Sequence, residues 1–221
     1  MRARALGVRP AHRAYGIVPL MNLRALAIAS LVALPLGSVI SLDAPLEGVR
    51  PASATVALLA SLHRMVSQSA YVVVGVAGER HSVWEDSVTG RHIMTYTKVT
   101  VERAVVGSPG AEVWVRTLGG EVGDIGQSVS GEAQLVPGSR SLLFLMQVDG
   151  AFVVTAMSQG LYRVITDDKT KALKLASSPD TGVLLPRPGQ TTSARERLLG
   201  TSLEDAVAAI QKAKRSLDAQ K

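Results

Sequence analysis

The sequence predicts a mainly β protein, an antiparallel barrel or sandwich with one helix before the sheet and one after it. Three observations carry that prediction. From Tyr71 onward, apolar and polar residues alternate with period two, and β-branched side chains are frequent. Turn signals at Gly107-Ser-Pro-Gly110, Pro137-Gly138 and Asp149-Gly150 cut that stretch into short runs. On both sides of it the apolar spacing becomes helical.

Taken in order, Ala44 to Pro51 reads as a linker, and 42–53 as the whole connecting segment. Ser53 or Thr55 then suits an N-cap, with Leu58, Leu59, Leu62, Met65 and Val66 on one helical face. His63 beside that stripe has no partner at i+4 and reads as a surface histidine. The first strand, Tyr71 to Ala77, is apolar throughout, as a strand covered on both faces would be. Arg91 to Val105 alternates: Ile93, Thr95, Thr97, Val99 and Val101 face one way, and Met94, Tyr96, Lys98, Thr100 and Glu102 the other. A strand that long must bend over a small core, which favours a curled sheet. Further strands are expected at Glu112 to Leu118, Ser141 to Val148, Phe152 to Met157 and Leu161 to Thr166, and weaker ones at Ala172 to Ala176 and Gly182 to Leu185. The helix-plus-barrel domain thus runs over 54–185, with 186–201 as a linker through Pro186-Arg-Pro-Gly189. A helix over 202–217 closes the chain. Ser202 is its N-cap, Glu204 and Asp205 lie in its first turn, and Lys212, Lys214 and Arg215 lie near its end, each suited to the helix dipole.

The 221 residues carry a formal charge of +6, which invites a nucleic-acid or membrane reading until its distribution is inspected. Residues 1–41 hold Arg2, Arg4, Arg9, Arg13 and Arg24 and no acid, followed by an apolar run from Ala25 to Ile40. This is the layout of a secretory signal peptide, with cleavage expected after about Ser41. Met21 opens a complete signal of its own and is an alternative start. The apolar run of about 16 residues, interrupted by Pro35 and Gly37, is short of the ~20 that a spanning helix needs, so no integral span is expected in the mature chain. The leader holds five of the six surplus positive charges, leaving the rest near +1 and removing most of the case for nucleic acid. With 47% hydrophobic and 19% charged residues the chain is not a disordered one, and about 180 residues suffice for a core. The chain has no cysteine, which excludes lipoprotein anchoring, thiolate metal sites and a cysteine nucleophile.

Two stretches invite a functional reading. The segment from Leu118 to Ala133 carries glycines at 119, 120, 123, 126 and 131. No helix is expected after it and no Lys-Ser/Thr pair closes it, so it is neither a dinucleotide fingerprint nor a P-loop. The glycines read as a bulged crossing between strands, with a binding loop of Gly119, Gly120, Glu121, Gly123, Asp124 and Gly126 as the functional alternative. His81 and His92 flank the loop Ser82 to Gly90; if the hairpin ends met there with Glu85 or Asp86, the set would have the composition of a metal site, though its spacing matches no known ligand pattern. No Gly-x-Ser-x-Gly occurs, and Ser128 and Ser130 have no local partner, so a serine hydrolase has little support. The acids Glu85/Asp86 and Asp167/Asp168 sit in expected turns.

The order Tyr71-Val-Val-Val-Gly75, Trp84, Thr95 to Glu102, Val105-Val-Gly107, Arg116 to Gly126, Val136-Pro-Gly138, Leu142 to Leu145 and Ser158 to Val164 resembles a group of small secreted bacterial proteins without assigned function. The resemblance spans about 55–165, and the Gly-Gly segment is its most specific part. The strand plan is similar to the OB-type barrel of netrin and tissue-inhibitor-of-metalloproteinase modules, which implies an OB-like barrel here. Those inhibitors present an N-terminal cysteine to zinc, a residue type this chain lacks. The expectation is therefore an exported, non-enzymatic binding or structural module of the bacterial cell envelope, periplasmic or extracellular, without a cofactor, whose partner is a protein or another envelope component. The alternatives are an inhibitor or accessory factor of a secreted protease, and a metal-dependent hydrolase using His81, His92 and an acid.

Overall fold

The computed structural model describes residues 56–220. The expected leader 1–41, the linker 42–53 and the N-cap candidates Ser53 and Thr55 lie outside the described residues. The chain runs β1 (Val56–Leu58), α1 (Leu62–Gln68), β2 (Tyr71–Ser87), β3 (Gly90–Val106), β4 (Glu112–Leu118), β5 (Gly120–Val122), β6 (Ile125–Gln127), β7 (Arg140–Val148) and β8 (Ala151–Val154). A 3-10 turn (Met157–Gly160) follows, then β9 (Leu161–Thr166), β10 (Leu173–Ser177), β11 (Val183–Leu185), α2 (Ala194–Leu198) and α3 (Leu203–Asp218).

The protein is mainly β. Seven strands form one sheet in the order β10-β9-β7-β2-β3-β4-β8, and β8 also pairs with β7. That second pairing closes β2, β3, β4, β8 and β7 into a ring. Two of the strands are 17 residues long, and register shifts at Val72/Val73, Val74/Gly75 and Ala77/Arg80 bend the β2–β3 ribbon so that it can curl. Closure corrects the antiparallel expectation: the sheet is mixed, because β4 pairs with β8 in parallel at Val115/Phe152 and Arg116/Val153. The β7–β8 hairpin, turning at Asp149-Gly150, is what carries β8 back beside β4.

The expected alternation along β3 sorts the two faces. Val99 is fully buried inside the ring with Val73, Val113, Val115, Leu143, Leu145 and Val154. The opposite face of β2 and β7, through Val72, Val74, Leu142 and Phe144, packs on a layer of helices. In α3 the residues Leu203, Ala206, Val207, Ile210 and Ala213 are buried, as their spacing predicts, and Ser202 accepts from Asp205 N–H as the N-cap. Burying a side chain the size of Ile210 contributes roughly 1.5–3 kcal/mol.

Two further expectations are corrected. The first helix does not include Leu58 or Leu59. Val56–Leu58 is extended and pairs in parallel with β11, and the helix starts after Ser61, whose side chain accepts from Arg64 N–H. The stretch 186–201, expected as a linker, contains α2, which is capped reciprocally by Ser193 and Glu196 and buries Ala194 and Leu198 in the helix layer. Among the described residues no helix is long and apolar enough to cross a membrane.

Candidate functional site

The inner face of the ring changes character along its length. By register, Val99 and Val113 lead to Thr97 opposite Val115, then to Thr95 opposite Thr117, all on the same face. On the other side of β3, Arg80 pairs with Thr97 and Ser82 with Thr95. The register shift between Ala77 and Arg80 is what turns Arg80 and Ser82 inward, and His81 between them also borders the mouth. The apolar interior therefore opens into a hydroxyl-lined mouth.

The glycine segment forms the rim of this mouth. It is a tight hairpin of β5 and β6 rather than the bulged crossing expected. Gly123, at φ +60, occupies the first central position of its two-residue turn, where a type II′ turn wants glycine. The Thr95 hydroxyl donates to Gly119 C=O at 2.6 Å. A hydroxyl has one proton, so the 2.8 Å contact between Ser82 Oγ and Thr95 Oγ1 has Ser82 as its donor. Gly120, at φ +137, lies over that pair so closely that a Cβ would stand 2.1 Å from Thr95 Oγ1 and 2.6 Å from Ser82 Oγ.

The far wall is the segment after β6, whose Ala133 and Leu135 insert into the ring core. Its other end is tied down where Gly138 N–H donates to Ala77 C=O at 2.7 Å. Between hairpin, ribbon and this segment lies a cleft of about 640 Å³. Of the expected binding-loop residues, Gly119, Gly120, Glu121 and Gly126 line it, whereas Gly123 and Asp124 form the exposed hairpin tip and do not.

Three lining groups were not singled out by sequence. Arg80 is exposed on the wall. Thr97 is 1% exposed and lines the cleft beside Thr95. Glu132 is half-buried; its Oε1 accepts from Ala133 N–H at 3.0 Å. Burial pushes its carboxyl above the ordinary range, and the backbone N–H groups of Ala133 and Leu118 only partly oppose this.

The two histidines are not brought together. The structure extends β2 to Ser87, so the expected loop from Ser82 to Gly90 is strand except for the turn at Val88-Thr89. His81 pairs with Tyr96 and His92 with Glu85, which sets the histidines about 13 Å apart along the ribbon. His81 stacks on Tyr96 at 5.4 Å between ring centroids and meets Trp114 edge-on at 5.3 Å. His92 is held by Thr89 Oγ1 at 3.0 Å and Gln127 Nε2 at 3.2 Å. Glu85 takes a hydrogen bond from Tyr96 Oη at 2.5 Å, which leads the upward shift of that phenol, and lies 3.5 Å from Arg116. Among the described residues no three His, Asp or Glu side chains converge as metal ligands would.

No protein-family model matches the chain, and no curated protein matches it.

Proposed function

We propose that this chain is an exported, non-enzymatic binding module of the bacterial cell envelope, built on an OB-like barrel, which takes part of a protein or another envelope component into the cleft at the mouth of its ring. The observation that carries the reading is the cleft itself, about 640 Å³ at the mouth of the ring, lined by the polar side chains of Ser82, Thr95, Thr97, Thr117, Gln127 and Glu132. Concave sites with a few convergent polar groups are where ligands bind, and the mouths of β rings are common places for them.

The five-strand closure in the order β2-β3-β4-β8-β7, with one parallel pair, supports the OB-like reading, since that barrel is a Greek-key ring of five strands. The hydroxyls most like a nucleophile support a binding role over a catalytic one: Ser82 and Thr95 are spent on each other and on Gly119, not on a histidine. The leader pattern in residues 1–41 supports export.

The test is affinity capture from an envelope fraction, comparing the wild-type protein with Gln134→Trp, which fills the cleft from an exposed lining position. A component captured by the wild type and lost with the folded variant is expected. Equal capture by both would exclude the cleft as the site.

A further inference from the structure

The hydroxyls and amides of the cleft can donate or accept, so they do not select the charge of a ligand. Its charged groups do. Among the described lining residues these are Arg80, Glu121 and Glu132, with the titratable His81 beside them. Arg80 and Glu121 are exposed and hydrated, so each interacts with a ligand across a high-dielectric medium. Glu132 differs, because the insertion of Ala133 and Leu135 into the ring draws it off the surface.

Its carboxylate accepts from the backbone N–H groups of Ala133 on its own wall and of Leu118 at the end of β4, and no Lys or Arg forms an ion pair with it among the described residues. Three other acids of this protein have cations beside them, Glu85 with Arg116, Glu102 with Arg140 and Asp167 with Lys174, while the half-buried Asp180, like Glu132, bonds to backbone N–H groups. A half-buried carboxylate without a cation bears a desolvation cost that an opposite charge offsets. The Thr97 side chain lines the same cleft, and a hydroxyl can accept as well as donate. An inorganic cation would want more acid oxygens than Glu132 alone offers.

We infer that Glu132 is the seat for an ammonium or guanidinium group, so that the cleft takes a basic ligand. This rests on the cleft being the binding site. The group can come from a lysine or arginine side chain of a peptide or from a free amine, and the two share this chemistry. Burial of Glu132, which raises the proton affinity of its carboxyl, acts in the same sense, since both express a carboxylate in want of positive charge.

Amide-resolved NMR titration of the purified protein tests this. The probes are n-butylammonium and methylguanidinium, the tripeptides Ala-Lys-Ala and Ala-Arg-Ala with blocked ends, and acetate and N-methylacetamide as anionic and neutral controls. Saturable shifts at Thr97, Glu132 and Ala133 are expected with the cationic probes, at affinities on the order of millimolar for ligands so small. Glu132→Gln, which retains an acceptor for Ala133 N–H, is expected to weaken them about tenfold, while Asp168→Asn, in the exposed turn between β9 and β10 outside the cleft, changes them less than about twofold. Tripeptides binding more tightly than the free cations identify a peptide source; the reverse identifies a free amine. Saturation by acetate or N-methylacetamide without the cations overturns the inference and leaves the cleft reading standing. Saturable cation shifts that survive Glu132→Gln unchanged overturn the role of Glu132, and no saturable shift with any probe overturns the inference of a basic ligand, while the cleft reading stands or falls by the capture comparison.

Discussion

Thr95 holds the glycine hairpin in place: its hydroxyl donates to Gly119 C=O at 2.6 Å from a buried position and in turn accepts from Ser82. One threonine thus couples three elements, β2, β3 and the hairpin that edges the cleft. The bond explains why two successive glycines are needed here. Gly119 must adopt φ +100 to aim its carbonyl inward, and Gly120 must then pass directly over the two hydroxyls.

Gly120→Ala is expected to cost roughly 2–4 kcal/mol, combining positive-φ strain with overpacking against Thr95 and Ser82. Gly123→Ala, at φ +60 with nothing near its Cβ position, is expected to cost only about 1 kcal/mol. Urea midpoints at constant m-value measure both. Equal losses would show that the hairpin turn, not its contact with the hydroxyl pair, holds the rim.

Thr95→Val keeps the shape and removes both hydrogen bonds. Leaving the Gly119 carbonyl and the Ser82 hydroxyl without this partner is expected to cost about 1–3 kcal/mol. It should also loosen the rim, visible as faster amide exchange across β5 and β6 with Phe144 unchanged in the core. Uniform loss of protection would refute a local role.

Glu132 makes stability fall with rising pH. Its folded-state pKa lies above the ordinary 4.5, with burial the main cause. Between those two values the folded state holds more protons than the unfolded state, so stability decreases as pH rises through the window. Below the unfolded value the carboxyl is protonated in both states and the effect is absent. Glu132→Gln should therefore be more stable than wild type at pH 7, and the advantage should vanish below about pH 4. Thermal melts of both proteins across that range provide the check, and an advantage that does not depend on pH would refute the linkage.

What could be read before folding, and what could not, follows from the range of the interaction. β4 and β9 carry the expected bounds, and the two faces of β3 divide as alternation requires, because period two is a local property of a strand. The parallel β4–β8 contact was not legible. Alternation identifies a strand's faces but not its neighbours, and this contact exists only once the β7–β8 hairpin folds back. Glu132 was missed for a related reason. In Ser130-Gly-Glu-Ala133 it looks like an ordinary loop acid, and only the docking of Ala133 and Leu135 makes it unusual. Leu58 and Leu59 fit the helical stripe by spacing, yet Ser61 is the cap, so periodicity alone carried the predicted helix too far upstream. The short helix α2 had a readable signature, Ser193-Ala-Arg-Glu196, which is a capping box. Ser193→Ala should cost about 1 kcal/mol, and coupling to Glu196→Ala in a double-mutant cycle would confirm that the two caps act together.

Gln159 provides a test of how the N-terminal strand is secured. Its Oε1 accepts from Ala60 N–H at 3.0 Å and its Nε2 donates to Leu58 C=O at 3.2 Å, so one side chain grips the backbone on both sides of Leu59. Leu59 N–H meanwhile donates to Leu185 C=O at 2.8 Å, extending the β1–β11 pair. Gln159→Ala removes the grip while leaving that bond, the β1–β11 pair and the bond from Ala194 N–H to Ala60 C=O in place. We expect a loss of about 1–3 kcal/mol locally, read as faster hydrogen exchange at Leu59 and Ala60, with Ile210 in α3 keeping its protection. A two-strand pair this short is not stable by itself, so unchanged exchange at Leu59 would mean that packing, rather than Gln159, holds the strand.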